Sequence, residues 1–504
     1  MSTKAKGLTL VGLVLMIFTS VFGFANGPVA FYLMGYGAIL WYVLAAILFF
    51  IPFALMMAEY GSSYKGENAG LYTWLKESVG PRFAFIGTFM WFSSYIIWMV
   101  STASKVWIPL TTFVTGRDET QVFHFAGLSS TQIVGLLAIL WMLFVTFLSS
   151  HGLKRIVRIT SLGGLAVTGL NVILILVSLV IWFGNGGHLA QPLDHVLTSP
   201  NPSYQSPIGV LGFVVFAIFA YGGIEAIGGL VDKTDNPGKT FPRGVIFAAL
   251  VISLGYAIGI FLWGVSTNWQ AVLASDTTNL GNITYVMMNN LGYELGNALG
   301  LSQATAITIG NWFARYTGLS MFLAYSGAFF TLSYSPLKTL ILGTPKELWP
   351  KRFVKLNKAG MPQTAMMVQC LIVVGIIFIA SFGTSNPSDF YNKLTLMSNV
   401  SMTLPYLFMI WAFPFFKKKT DLERPFVAYK NHTVTIIVSV VVFLIVAGAN
   451  LFTIIQPVIE AGDVESMIWM LAGPVVFTLG GLGLYALYER RHRKNLAEKF
   501  PMTK

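Results

Sequence analysis

Twelve mainly apolar segments run through this sequence, and they constrain its fold more than any other feature. A helix needs about 20 such residues to cross the hydrocarbon core of a bilayer, where every backbone polar group must be paired within the protein. Charged residues make up 10% of the chain, against about 25% in a soluble domain. The sequence therefore predicts an all-α polytopic membrane protein and excludes a disordered chain, a collagen or a coiled coil. The predicted spans are residues 8–32, 39–60, 83–113, 131–150, 159–183, 207–231, 245–266, 312–337, 365–382, 394–416, 433–459 and 467–488.

The basic residues indicate how these spans are oriented. If the amino terminus is cytoplasmic, 28 of the 32 Lys and Arg residues fall on the inner side, and Arg117 alone lies in an outer loop. Because inner loops are enriched in Lys and Arg, this split predicts twelve spans with both termini in the cytoplasm. The first span has no small-residue cleavage pattern, so we expect it to be retained. The net charge of +12 then reflects orientation and contact with lipid, and indicates no nucleic-acid partner.

Two spans contain residues that are unusual within a membrane. In the first span, residues 19–28 read TSVFGFANGP, and in the sixth, residues 219–229 read FAYGGIEAIGG. These two spans are five apart in chain order, which is the pattern of two inverted five-span repeats that each begin with a discontinuous helix. Unwound backbone is tolerated at membrane depth only around a cavity or ligand, and free N–H and C=O groups together suit a zwitterion such as an amino acid. The alternative is that these glycines only permit close packing of helices.

Three sequence motifs resemble those of the amino acid–polyamine–organocation superfamily of transporters. Residues 219–225 (FAYGGIE) and the following 235–243 (DNPGKTFPR) are similar to its sixth-span signature. Residues 58–61 (AEYG) with 67–74 (ENAGLYTW) resemble its pattern after span two, and 356–362 (LNKAGMP) resemble its motif between spans eight and nine. The start at residues 8–12 (LTLVG) is most similar to the glutamate/γ-aminobutyrate antiporter branch, and within it to a group of bacterial inner-membrane permeases.

The resemblance implies a LeuT-type core of five plus five inverted spans with discontinuous first and sixth helices. On this basis residues 1–184 form the first repeat, residues 185–416 the second with an outer insert at 267–311, and residues 417–504 two peripheral spans and a short basic tail. The sequence departs from the branch in two respects. The tail is too short for the plug that closes the inner mouth in that branch, and span five lacks the Lys found in some proton-coupled relatives.

The resemblance also implies a set of substrate-binding residues around the two breaks. The expected residues are Ser20, Phe22, Gly23, Ala25, Tyr95, Phe219, Ala220, Tyr221, Gly222, Glu225, Phe329 and Tyr406. Glu225, Phe219 and Phe329 are in addition expected to act in gating. Glu225 is the principal candidate, because a carboxylate at membrane depth is costly and is retained for a function; the alternative is a structural carboxylate bound to backbone N–H groups.

Three basic residues lie in the outer halves of predicted spans, namely Lys105, Arg315 and Lys393. They are expected either to form an electropositive funnel for an anionic substrate or to extend to the interface as long cationic side chains do. Lys105 is the deepest and the best candidate for an electrostatic role. Glu59, at the inner end of span two, is expected to pair with bases of the inner loops.

The sequence favours transport over other functions. It contains no paired catalytic carboxylates, no nucleophile–base set and no His or Cys spacing typical of a metal site, so we expect neither an enzyme nor a cofactor. The favoured function is exchange of glutamate-like, γ-aminobutyrate-like or other small amino acids by alternating access. Proton-coupled symport is the alternative, and a sensor that does not transport is a third. The expected partners are the amino-acid or amine substrate, protons and membrane lipid. The chain is expected to act as a monomer or a homodimer.

Overall fold

The computed structural model describes residues 8–64, 70–151, 156–193, 196–223, 225, 234–235 and 237–499. Within these ranges the chain is helical, and pairing between extended segments is limited to isolated bridges. The α-helices are α1 Leu10–Val21, α2 Asn26–Met34, α3 Gly37–Ala45, α4 Ile51–Ser63, α5 Leu71–Ser78, α6 Pro81–Lys105, α7 Trp107–Thr115, α8 Ser130–Ser150, α9 Ile156–Gly184, α10 Pro207–Ala220, α11 Pro237–Ser266, α12 Trp269–Val272, α13 Ile283–Ala298, α14 Gln303–Leu332, α15 Ser335–Gly343, α16 Lys351–Val354, α17 Gln363–Phe382, α18 Pro387–Thr403, α19 Tyr406–Lys417, α20 His432–Ala461 and α21 Val464–Lys499.

Nine helices in the described ranges are long and apolar enough to cross a membrane, and the bent pair α1–α2 makes a tenth candidate span. They coincide with ten of the twelve predicted spans. The predicted sixth span is represented by the short apolar helix α10, and residues 226–231 of that prediction lie outside the described residues. The predicted eighth span coincides with α14, which has 30 residues. The structure thus confirms a helical, membrane-spanning protein with many spans.

The boundary between the predicted insert and the eighth span is wrong. Helix α14 begins at Gln303, so the last nine residues assigned to the insert belong to this helix. The cause is local, because the Ser302 hydroxyl accepts a hydrogen bond from the Thr305 backbone N–H at 3.3 Å and so caps the helix. The short helices expected in the insert are α12 and α13.

The first span is broken between α1 and α2. Its two halves differ in direction by 56° across Phe22–Ala25. Helix α1 starts at a Thr9 cap whose hydroxyl accepts from the Gly12 N–H at 3.2 Å. It ends where Phe22 adopts an extended conformation with φ −74° and ψ 107°, and Pro28 lies within the first turn of α2, where its missing N–H is harmless.

The sixth span unwinds after Ala220. Ser206 caps the start of α10 by accepting from the Gly209 N–H at 2.9 Å. At its other end Tyr221 and Gly222 turn back onto the last carbonyls, and Gly223 has a φ of +96°. A left-handed residue ends an α-helix and is unfavourable for any residue with a Cβ.

A buried ion cluster joins the ends of α4 and α19. Glu59 is fully buried; its Oε1 lies 2.7 Å from Lys417 Nζ, and its Oε2 accepts from the Ala428 N–H at 2.8 Å. Arg424 Nε lies 3.6 Å from the same carboxylate. The expectation that Glu59 pairs with bases of the loops is therefore confirmed.

Candidate functional site

The two breaks lie directly against each other. A Cβ added to Gly223 would stand 3.0 Å from the carbonyl oxygen of Ser20, at the end of α1. Together with the positive φ at Gly223, this close approach leaves room only for glycine. The irregular backbone predicted from the two glycine-containing motifs is therefore gathered in one place.

One tyrosine hydroxyl connects the two breaks. Tyr256, on the apolar helix α11, is buried, and its Oη accepts hydrogen bonds from the Gly23 N–H and the Asn26 Nδ2, both at 3.0 Å. The same hydroxyl donates to the carbonyl of Ala220 at 3.1 Å. Asn26 therefore does not cap α2 with its side chain, as its position at a helix start would favour; the amide is bound to Tyr256 instead.

The sequence analysis missed Tyr256. No motif surrounds it in the seventh span, and its position among apolar residues favours ordinary packing. The available signal was chemical, because a buried Tyr hydroxyl requires a polar partner, and an unwound segment offers such partners within a membrane.

The first break leaves both kinds of backbone group unpaired. Among the described residues, none accepts a hydrogen bond from the N–H of Phe24, Ala25 or Gly27, at the start of α2. Likewise none donates to the carbonyls of Thr19 and Ser20, at the end of α1. Helix N-termini attract anions, and free carbonyls at a C-terminus attract cations. This short segment therefore has the polarity that binds a carboxylate and an ammonium group side by side.

Glu225 lies immediately after the second break, among aromatic side chains. Its carboxylate interacts with the side chains of Trp91, Tyr95 and Tyr406 and with the backbone at Gly223. Nevertheless its Oε2 is buried without a hydrogen bond of good geometry from any described residue. A buried carboxylate oxygen without a donor is costly, so the arrangement would be completed by a ligand, a proton or a rearrangement of the donors.

Tyr95 and Tyr406 are brought to this carboxylate from two other helices. Tyr95 lies in the middle of α6, edge-on to Trp91 with ring centroids 5.2 Å apart. Tyr406 begins α19, and its hydroxyl approaches the second break so closely that a Cβ on Gly222 would stand 2.9 Å from it. Both residues are buried. Trp91 belongs to the same group but was not among the residues expected from the sequence.

The remaining expected residues are distributed around the breaks in different ways. Phe22 stacks on Tyr256 at 4.5 Å, whereas Ser20 is exposed and bonds to the carbonyl of Met16 at 2.8 Å. Ala25 and Phe219 are half-buried beside the breaks. Tyr221 faces away, since its hydroxyl donates to the carbonyl of Tyr42 at 3.0 Å.

Phe329 lies in a separate aromatic cluster. It is fully buried, and its ring contacts are with Trp98 on α6 at 5.9 Å and Trp141 on α8 at 6.2 Å. Trp98 follows Tyr95 by three residues on the same helix. Phe329 is therefore connected to the residues around the breaks through its contact with α6. Its expected gating role remains a prediction.

The three basic residues expected to form a funnel have different environments. Arg315 donates to the carbonyls of Phe113 and Val114 at the end of α7. Lys393 forms ion pairs with Asp389 at 2.7 Å and Glu465 at 3.0 Å. Lys105 instead donates to the Thr395 hydroxyl at 2.5 Å. Arg315 and Lys393 are thus engaged in structural contacts.

The described residues contain no group of three His, Cys, Asp or Glu side chains that could hold a metal ion.

The chain is similar in sequence to known proteins along most of its length. The sequence pattern of the family described as "Amino acid permease" matches residues 8–479. The inner membrane transporter YjeM of Escherichia coli (strain K12) is 62% identical over 490 residues, covering 97% of this chain and 98% of that protein. A glutamate/γ-aminobutyrate antiporter of Lactococcus lactis subsp. lactis (strain IL1403) is 24% identical over 470 residues, covering 90% and 86%.

A solved structure shows the same fold. It is a mutant of the manganese transporter of Eremococcus coleocola, with a TM-score of 0.55 and 14% identity, covering 97% of this chain and 95% of that one.

Proposed function

The chain belongs to the amino acid permease family, a family of transporters rather than enzymes, and on that premise we propose that it exchanges small amino acids across a bacterial inner membrane by alternating access. In this proposal twelve spans form two inverted five-span repeats, residues 1–184 and 185–416, with two peripheral spans in residues 417–504. Both termini are cytoplasmic. Substrates would be glutamate-like, γ-aminobutyrate-like or other small amino acids.

The observation on which the proposal rests is the meeting of the two breaks. Within one short segment, the N–H groups of Phe24, Ala25 and Gly27 and the carbonyls of Thr19 and Ser20 have no hydrogen-bond partner among the described residues. Gly223 of the second break lies against that segment. A free amino acid presents a carboxylate and an ammonium on one carbon, so both kinds of backbone group can be paired by a single ligand. Close helix packing by glycine alone would not require these groups to be left unpaired.

The fold supports alternating access. The bent pair α1–α2 and the short helix α10 are separated by the number of spans that an inverted repeat requires. The α1 half of the first span can move relative to α2 about Phe22–Ala25, since that segment is held by the side chain of Tyr256 rather than by continuous helix. Similarity to an antiporter of the family favours exchange over one-way transport.

Proton-coupled symport is a second candidate, and one observation favours it. Glu225 has a buried oxygen without a donor of good geometry among the described residues, and a proton on that oxygen would supply the missing bond. A proton site beside the substrate segment is what coupled transport needs.

The test is counterflow in proteoliposomes that contain the purified protein. Liposomes are preloaded in turn with each amino acid or amine of a panel, and uptake of the labelled compound is followed at pH 5.5 and 7.5, with and without a pH gradient. Exchange that depends on the preload and not on the gradient supports the antiporter, whereas uptake driven by the gradient alone supports the symporter. If no compound exchanges under any condition, the transporter proposal fails.

Glu225→Gln tests the site within the same assay. The substitution keeps the shape but removes the charge, and we expect at least a ten-fold loss of exchange. Glu294→Gln is the matched control, because Glu294 bonds only to Asn297 on the surface of α13, and its exchange should be unchanged. Unimpaired exchange by Glu225→Gln would remove Glu225 from the site.

A further inference from the structure

Lys105 lies on the same face of α6 as the residues that contact Glu225. Trp91, Tyr95, Trp98 and Lys105 recur at intervals of four, three and seven residues, which places them along one side of a helix. Ten residues of helix separate Tyr95 from Lys105, a rise of about 15 Å. Side chains lean towards the start of their helix, so the Cα–Cβ bond of Lys105 leans towards Tyr95, and the ammonium group lies at Thr395.

The α18–α19 span, which lies opposite α6, carries a matching pair of residues. Thr395, which accepts the hydrogen bond from Lys105, precedes Tyr406 by eleven residues, or about three helical turns, on the path from α18 to α19. Helix α6 therefore faces the α18–α19 span twice, through Tyr95 and Tyr406 of α19 at Glu225, and through Lys105 and Thr395 of α18 at the far end.

The segment between these two contacts is polar but uncharged. One turn from Lys105 and Thr395 towards Glu225, buried hydroxyl and amide groups occur on both helices. They are Ser101, Thr102, Ser398 and Asn399. Such groups can hydrogen-bond an anion or a cation, and among the described residues of α6 and α18 in this segment the charge is that of Lys105.

The far end of this region is covered, so Lys105 does not simply extend into water. The Tyr391 hydroxyl, one turn before Thr395, donates to Thr120 at 2.9 Å. Asn392 accepts from the backbone N–H of Leu280 in the insert at 3.0 Å. Lys105 therefore lies beneath packed structure, in contrast to a lysine at a lipid–water interface.

The other two cations show how this protein stabilises a positive charge that is only structural. Lys393 has two carboxylates and Arg315 has two helix-end carbonyls. For Lys105, the described residues supply a neutral hydroxyl and no carboxylate within ion-pair distance. Lys105 is half-buried. An ammonium group that is partly removed from water without a counter-charge is unfavourable, and an anion from outside the chain would complete its environment.

We propose that Lys105 binds a negatively charged group on the side chain of the substrate, which makes amino acids with an acidic side chain the preferred substrate class. The inference rests on the proposed transport function and identifies its substrate. In the proposed orientation Lys105 lies on the outer side of the site. It would hold the side-chain carboxylate as the substrate enters between α6 and α18, before the α-carboxylate and ammonium reach the breaks.

The experiment compares glutamate with glutamine and aspartate with asparagine, because each pair differs by one charge at nearly constant size. Half-saturating concentrations for entry are measured in proteoliposomes for the wild-type protein, Lys105→Met and Lys105→Arg. A charge-assisted hydrogen bond typically contributes a factor of about ten to one hundred in affinity. We therefore expect Lys105→Met to raise the half-saturating concentration of each acid about ten-fold or more and to leave that of each amide within about two-fold of the wild type. Lys105→Arg should retain the preference for the acids.

Lys393→Met is the matched control, since it removes a cation that already has carboxylate partners. It should lower thermal stability in detergent without changing the ratio of the half-saturating concentrations of acid and amide. The same stability measurement shows whether Lys105→Met remains folded. The proposal would be overturned if Lys105→Met changed the half-saturating concentrations of acid and amide equally. It would also be overturned if uptake of both compounds depended on inorganic chloride and this substitution abolished that dependence. If the wild type exchanges neutral amino acids but neither acid, the substrate class is wrong and the transporter stands. If nothing exchanges, the proposed function itself fails.

Discussion

Tyr256→Phe isolates the hydroxyl that joins the two breaks. The substitution removes one oxygen and keeps the ring, which stacks on Phe22 at 4.5 Å and packs edge-on against Tyr42 at 4.9 Å. The Gly23 N–H and the Asn26 amide lose their acceptor, and the Ala220 carbonyl loses its donor. Nothing else in the surroundings of this tyrosine need change.

The expected loss of stability follows from the number of polar groups that lose their hydrogen-bond partner. A buried polar group that loses its partner costs about 1–3 kcal/mol, and three groups are affected here. Because the three lie beside a segment that water or substrate can reach in transport, we expect part of this cost to be recovered. The remaining loss of stability should be about 2–4 kcal/mol. Substrate affinity should also fall, because the first break is no longer fixed relative to the second.

The assay combines thermal unfolding in detergent with half-saturation of counterflow. Tyr221→Phe is the control from the same aromatic cluster, since its hydroxyl donates to the Tyr42 carbonyl and faces away from the breaks. That variant should lose about 1 kcal/mol and keep its substrate affinity. If the two variants behave alike in both measurements, the Tyr256 hydroxyl does not connect the breaks in the way argued here.

Two further predictions concern the backbone of the site and the ion cluster at the ends of α4 and α19. Gly223→Ala should lower the free energy of unfolding by about 1–3 kcal/mol and reduce exchange strongly, because the φ of Gly223 is +96° and the added Cβ would press on the Ser20 carbonyl. Gly480→Ala, in open space on α21, is the control and should be neutral or stabilising in the same thermal and exchange assays. Glu59→Gln should cost about 3–5 kcal/mol by leaving the buried Lys417 charge without its partner. Glu77→Gln, whose partners Lys76 and Lys419 are more exposed, should cost less than about 1 kcal/mol, and equal melting temperatures for these two variants would contradict the assignment of a buried cluster.

The helices could be predicted because hydropathy is local in the chain, and the pairing of Glu59 could be predicted because the bases are concentrated in the inner loops. Span length and hydropathy identified ten spans to within seven residues of their observed ends. The eighth span, α14, begins earlier than predicted because its start depends on a Ser302 cap ahead of its apolar part. The positions of both breaks were likewise marked by glycine in the sequence, with Pro28 beside the first. Glu225 was expected at the site from a family motif, and Tyr95 and Tyr406 were expected as wall residues; the structure brings the three together.

Other parts of the site could not be predicted because they depend on contacts between distant segments. Tyr256 is separated from Gly23 by more than two hundred residues, and nothing near either residue indicates the other. Phe329 matched a motif but packs against Trp98 and Trp141, since its direction is set by how α14 meets α6 and α8.

Hydropathy and glycine placement therefore determined what kind of protein this is, because the cost of exposing backbone or charge to lipid acts on each segment separately. Tertiary structure decided which of the rare polar groups at membrane depth are satisfied by the protein. Lys393 and Arg315 find partners in neighbouring helices, whereas one Glu225 oxygen lacks a donor and Lys105 lacks a counter-charge among the described residues. That difference depends on distances across the fold, because a charge buried in a membrane is stabilised only by groups within a few ångströms of it.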